Sequence, residues 1–279
     1  MRLYSIETGF FKLDGGAMFG VVPKSLWNKT NPADDNNLCT WAMRCLLIED
    51  EGRLILVDTG IGDKQDEKFF GHYYLHGDAT MDKSLAALGF HRDDITDVFL
   101  THLHFDHVGG AVKRNGDKLV PAFKNATFWS NHKHWDWAVN PNDREKASFL
   151  KENILPIQES GQLKFIDAIE GEQFTDNVHI RFANGHTEAM MLPLVNYKDQ
   201  QILYMADLLP SVGHIPLPYV MAYDMFPLKT LTERKIFWNE AVEKKYILFL
   251  EHDPVNECCT LQQTEKGIRL NDTFKLNEV

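Results

Sequence analysis

Cysteine, basic charge and long apolar runs are all scarce in this sequence, and each scarcity removes a class of protein. The four cysteines are Cys39, Cys45, Cys258 and Cys259. Sequence neighbours seldom bridge to each other and none of the four falls in a CxxC spacing, so a disulfide framework is not expected and buried free thiols are. Lysine and arginine number 29 against 40 aspartates and glutamates, a formal charge of −11. A nucleic-acid backbone would be repelled across much of such a surface. No stretch approaches the roughly 20 apolar residues that span a bilayer, and the opening MRLYSIETGFFKLDGG contains no apolar run of signal-peptide length. The expectation is a cytoplasmic protein with a small-molecule substrate and neither a nucleic-acid nor a membrane partner. Repeats, low-complexity tracts and Pro/Gly/Ser linkers are also lacking, which makes one domain over residues 1–279 the simplest description.

What is present is enough apolar sequence, 44% of the chain, for a sizeable core. Short β-branched runs bounded by turn residues predict strands at 44–48, 53–57, 97–100, 127–129, 178–182, 190–195, 201–205 and 246–250. The first two flank Glu49-Asp-Glu-Gly52 and read as a hairpin. Helical periodicity covers 81–88, 143–153 ahead of Pro156, and 231–244 behind Thr230 as a cap. Hairpins outnumber βαβ units, so the expected class is α+β, with sheets packed together and helices outside.

The densest chemistry lies in Thr101-His-Leu-His-Phe-Asp-His-Val-Gly-Gly110. His102, His104, Asp106 and His107 place four side chains of the kind zinc prefers within six residues. An extended continuation of the preceding strand puts His102 and His104 on one side, because side chains repeat every two residues. Asp106 and His107 then turn toward a second ion as the chain coils, and Gly109 and Gly110 permit close backbone approach. Two ions need more ligands, and three further candidates follow apolar runs: His186 after 178–182, Asp207 after 201–205 and His252 after 246–250. A carboxylate such as Asp207 has two oxygens and can bridge two cations. His132 and His134 repeat the HxH spacing, but among Trp129, Trp135 and Trp137 at a helix start they are expected to be structural.

The order Asp58-Thr-Gly60, Thr101–Gly110, Gly185-His-Thr187, Ala206-Asp207, His252 resembles the landmark segments of the metallo-β-lactamase-fold superfamily and covers most of the chain. That resemblance implies an αββα four-layer sandwich. It implies His102, His104 and His186 on one ion, Asp106, His107 and His252 on the other, and Asp207 between them. Gly16–Lys24 with Leu26-Trp27, and Asp207-Leu-Leu-Pro210 with His214 and Pro216, look like the branch containing N-acyl-homoserine lactone lactonases and methyl parathion hydrolase. The better-known lactonases carry a tyrosine three residues after the bridging aspartate; this chain has Pro210 there, with His214, Tyr219 and Tyr223 nearby in sequence.

These readings combine into an expected metal-dependent hydrolase with two Zn2+ ions, Mn, Co and Fe being other ions such ligands take. A hydroxide held between the ions would attack a lactone or carboxylic ester, acyl-homoserine lactones first among them. Asp106 is the expected proton shuttle as well as a ligand. Asp58 is expected to support a ligand histidine or backbone group, and Met18, Phe19 and His214 are candidates for the substrate pocket. Phosphotriester or phosphodiester hydrolysis is the alternative for the same site. A di-iron redox centre and an inert metal-binding module are the readings from other classes. The apolar segments Phe10-Phe11 and 221–226 would suit a homodimer.

Overall fold

The computed structural model describes residues 1–279. Its strands are β1 (Arg2–Asp14), β2 (Leu38–Asp50), β3 (Arg53–Val57), β4 (Asp97–Phe99), β5 (Val112–Asn115), β6 (Lys118–Pro121), β7 (Thr127–Asn131), β8 (Leu163–Ile166), β9 (Gln173–Thr175), β10 (Val178–Ala183), β11 (Met190–Tyr197), β12 (Gln200–Tyr204), β13 (Ile247–Phe249), β14 (Cys258–Thr264) and β15 (Gly267–Phe274). The helices are α1 (Gly15–Phe19), α2 (Lys24–Trp27), α3 (Glu67–Phe70), α4 (Met81–Ala87), α5 (Phe105–Val108), α6 (His132–Val139), α7 (Lys151–Glu159) and α8 (Pro227–Glu243). The chain divides into two compact units, one of Met1–Gly9 with Met43–Ile169 and the other of Phe10–Ala42 with Glu170–Val279.

In the first unit the sheet order is β1-β2-β3-β4-β7-β8. Strands β2 and β3 form the expected hairpin, whose two turn residues Glu51 and Gly52 both take positive φ, 48° and 80°. That is the backbone a tight antiparallel turn requires. From β3 onward the neighbours β3, β4, β7 and β8 are all parallel, so the loops leaving β3, β4 and β7 emerge on one edge. Asp58, the Thr101–Gly110 loop and the start of α6 therefore rise together. The face below them is closed by apolar packing of Leu47, Leu56, Val98 and Phe128 with Leu85 of α4, Trp135 of α6 and Ile154 of α7.

The second unit contains the sheet β15-β14-β13-β12-β11-β10-β9. Strands β10 and β12 both pair antiparallel with β11, and β13 runs parallel to β12, so β10, β12 and β13 share one direction. Their C-terminal ends lead to His186, Asp207 and His252. Helix α8 packs along β14 and β15 and buries Phe237, Trp238 and Ala241.

Two helix expectations change. The segment 143–148 is a turn, and the helix there, α7, starts only at Lys151 and carries Pro156 inside it. The ring deprives the carbonyl of Glu152 of its helical partner, but Glu152 is exposed and its carbonyl can turn to water. Helix α8 begins at Pro227, whose fixed φ suits a first turn, so Thr230 is an internal residue and not a cap.

Candidate metal centre

The candidate ligands fall into two halves, His102, His104, Asp106 and His107 within the first unit and His186, Asp207 and His252 within the second. In the first, β4 ends at Phe99, the chain bends at Thr101 and passes through an extended His104, then coils into the single turn α5 that contains Asp106 and His107. The turn stays close to the loop after β3 because Gly109 and Gly110 lack side chains: a Cβ on Gly109 would stand 2.1 Å from the Ile61 carbonyl oxygen, and one on Gly110 2.2 Å from that of Thr59. Buried Lys64 clamps the same bend by donating to the Gly109 carbonyl; burial lowers this ammonium to about 8.

Hydrogen-bond partners fix which imidazole nitrogen of each histidine faces inward. Asp58, fully buried with φ +59°, accepts from the Thr101 backbone N–H at 2.8 Å and from the Thr101 hydroxyl at 2.6 Å. It also accepts from His107 Nδ1 at 3.1 Å. The Thr101 hydroxyl has one proton and spends it on Asp58, so toward His102 Nδ1, 3.0 Å away, it can only accept. His104 donates Nε2–H to Glu145 at 2.9 Å. The inward atoms are therefore His102 Nε2, His104 Nδ1 and His107 Nε2, each a lone pair. His102 Nε2 and His104 Nδ1 lie 3.1 Å apart, and two lone pairs at that distance call for a cation.

Two groups of this half, Glu145 and Thr101, went unrecognised in the sequence, and a third, His134, takes the structural part expected of it. Glu145 is 1% exposed and holds His104 through one oxygen and the Trp137 indole, at 2.6 Å, through the other. The Asn142 side chain places it by accepting from the backbone N–H groups of Arg144 and Glu145. The Asn-x-x-Glu spacing, a helix-start signature, is the signal that could have revealed it. Thr101 is the pivot between Asp58 and His102. His134, buried at the start of α6, accepts from the Leu103 backbone N–H at 2.9 Å and so fixes the peptide between the two ligand-type histidines.

The second half is organised around Asp207. His186 Nε2 lies 3.0 Å from one of its oxygens and His252 Nε2 2.9 Å from the other. His186 donates Nδ1–H to Asp224 at 2.9 Å and His252 donates Nδ1–H to the Ala42 carbonyl at 2.8 Å. A carbonyl only accepts, so in the neutral ring His252 Nε2 carries the lone pair, and the same follows for neutral His186 against a carboxylate. The Asp207 carboxylate is thus approached from both sides by lone pairs, an arrangement that needs positive charge between them. Burial lowers the His186 imidazolium, but the carboxylates of Asp207 and Asp224 outweigh it and push the group up to about 10. In the metal-free protein a proton supplies the charge; a divalent ion would supply it better. The loop is pinned from beneath by buried Arg234, which donates to the carbonyls of Leu208, His214 and Tyr219.

Met18, Phe19 and His214 are brought together, but inside the second unit. His214 is fully buried, donates Nε2–H to the Met18 carbonyl at 3.0 Å, accepts from Ser211 at 2.9 Å, and stacks on Phe19 with ring centres 4.3 Å apart. Burial pushes it down to about 3, so it stays neutral.

A sequence model of the metallo-beta-lactamase superfamily matches residues 44–237. The chain belongs to the metallo-β-lactamase superfamily. Among curated members, the N-acyl homoserine lactonase of Bacillus thuringiensis is 27% identical over 197 residues, a match covering 67% of this chain and 66% of that protein. The corresponding Bacillus cereus lactonase is 28% identical over the same length. The matched region thus spans about two thirds of the length of these relatives. A solved structure of a probable metal-dependent hydrolase from Staphylococcus aureus is similar over 98% of both chains, with TM-score 0.87 and 25% identity. AidC, a dizinc quorum-quenching lactonase, superposes over 98% of this chain and 95% of its own with TM-score 0.79 at 23% identity, a likeness of fold. Superfamily and relatives together indicate a metal-dependent hydrolase with the metallo-β-lactamase fold.

Proposed function

We propose that the chain is a dinuclear metal hydrolase of lactones or related carboxylic esters, with acyl-homoserine lactones the first substrates to test. His102, His104 and His186 would hold one ion, Asp106, His107 and His252 the other, and Asp207 would bridge them. The observation that carries this reading is the Asp207 carboxylate set against His186 Nε2 and His252 Nε2, with both Nδ1–H groups already committed to oxygen partners. Imidazoles oriented in this way by a carboxylate or carbonyl are the usual setting of metal-bound histidine. The ester part of the reading rests on the lactonases of Bacillus among the relatives. Zinc is the ion proposed first, since imidazole and carboxylate are among its usual ligands.

Bound there, two divalent ions would acidify a water near neutral pH and polarise the carbonyl under attack. The chain's own groups do the rest. Glu145, Thr101 with Asp58, Asp224 and the Ala42 carbonyl hold the five imidazoles in their tautomers. Asp106, on the first turn of α5 with a carboxylate oxygen 3.8 Å from His107 Nε2, takes the proton from the attacking water and returns it to the leaving alkoxide. The closed packing beneath both halves fixes these groups before substrate arrives, so little is left to reorganise.

The test couples elemental analysis to turnover of lactones of increasing acyl length. The wild type should contain divalent metal and open the lactone ring, while His104→Ala and Asp207→Ala should lose both metal and activity. Full metal and activity in both variants would refute the assignment. Phosphotriester turnover without lactone turnover would move the substrate to phosphorus.

A further inference from the structure

The substrate reading leaves one role unfilled, because Pro210 stands where the lactonases of this branch have a tyrosine and offers no donor. The neighbouring imidazole does not replace it. His214 has both nitrogens committed inside the second unit.

In the first unit, the loop after α3 brings a different phenol to the ligand segment. The Tyr73 ring lies 4.7 Å from that of Phe105 and 4.9 Å from that of Phe69, and Phe69 in turn stands edge-on to Phe105 at 5.5 Å. Phe105 is the residue between His104 and Asp106, so this three-ring cluster is built directly on the ligand turn. Helix α3 is fixed by Asp66, which accepts from the Phe69 backbone N–H at 2.7 Å, and Tyr73 N–H donates to the Phe70 carbonyl. The phenol is half-buried and close enough to Asp106 to feel its charge, yet its hydroxyl makes no hydrogen bond within the protein. A phenol on a rigid aromatic platform, un-ionised at neutral pH, is a donor held ready for an outside acceptor. Because Phe105 and Phe69 already fix the ring, little entropy is lost when an acceptor binds.

We propose that the Tyr73 hydroxyl donates a hydrogen bond to the substrate oxygen that gathers negative charge as the ester is attacked, the part Pro210 cannot play. This inference rests on the hydrolase reading above. The phenol keeps its proton throughout; it stabilises the oxyanion without transferring anything. Such a donor is realised mainly in the transition state, so its loss lowers kcat and not substrate binding.

The experiment is Tyr73→Phe in metal-loaded protein, assayed on lactones that the wild type turns over, with metal content measured on both. The expected result is a fall in kcat of about 100-fold or more, with KM within about twofold and metal content unchanged. An unchanged kcat, or a rise in KM alone, would overturn the proposal and leave the ring as an apolar wall. A loss of metal in parallel with kcat would also overturn it, by showing that the hydroxyl supports the ligand turn. Metal-loaded wild type that opens no lactone or ester would bring down the hydrolase reading itself, a result distinct from an active wild type matched by its variant.

Discussion

Replacing Glu145 by glutamine changes one atom and should be felt at the metal. The buried carboxylate accepts from three donors: His104 Nε2–H on one oxygen, and the Trp137 indole and Asn142 amide on the other. An amide has one oxygen and one NH2, so one side must meet a donor with a donor. If the NH2 faces Trp137 and Asn142, two N–H groups lose their acceptor in a site 1% exposed, and each buried unsatisfied donor costs about 1–3 kcal/mol. If it faces His104, the imidazole must accept on Nε2 and carry its proton on Nδ1, the nitrogen that would bind the ion. Either way the pair loses: the first outcome lowers folding stability, the second lowers metal affinity by the roughly 10–100-fold typical when a ligand's outer partner is removed. Chelator competition for the bound ion, run beside urea unfolding of the metal-free protein, reads both terms. Glu145→Gln with wild-type values in the two assays would refute the claim that Glu145 sets the His104 tautomer.

Further outcomes follow from the same geometry. The metal-free protein should lose stability as pH rises from about 6.5 toward 10. The His186 pKa is raised to about 10 by Asp207 and Asp224 against the effect of burial, so its contribution is complete below the unfolded value and vanishes as the folded group deprotonates. Urea unfolding across that window should show the decline, and Asp207→Asn should flatten it; a flat wild-type profile would contradict the ion pair. Gly109→Ala forces a Cβ to 2.1 Å from the Ile61 carbonyl oxygen, and should cost at least the roughly 1–3 kcal/mol of an overpacked core, measured by thermal unfolding. Thr101→Val keeps the shape but removes the pivot between Asp58 and His102, and should weaken metal binding about tenfold or more in the chelator assay.

The ligand-bearing strands were legible because each is a short apolar run stopped by polar residues, and His186, Asp207 and His252 stand just beyond three runs that the sheet aligns in one direction. Strands β14 and β15 were not legible: after the buried Cys258, Cys259 and Leu261 they are mostly polar, with Gln262, Gln263, Arg269, Asn271 and Asp272 all exposed, so no sustained alternation marks them. Strand β1 escaped for a related reason, being half-buried along most of its length with no clean period. The helix expected over 143–153 is present only from Lys151, because Asn142 caps a single turn that presents Glu145 and stops before α7 begins. Partners such as Glu145, Asp224 and the Ala42 carbonyl lie 41, 38 and 210 residues from the histidines they hold. Only the folded chain brings them within reach.

The most direct test of the account is the metal stoichiometry of the purified protein and of Asp207→Ala, measured by elemental analysis after reconstitution with zinc and removal of loosely bound ions. A dinuclear site bridged by Asp207 requires about two ions per chain in the wild type and a clear loss in the variant. Wild-type protein that retains no metal, or an Asp207→Ala variant that keeps the full complement, would contradict it.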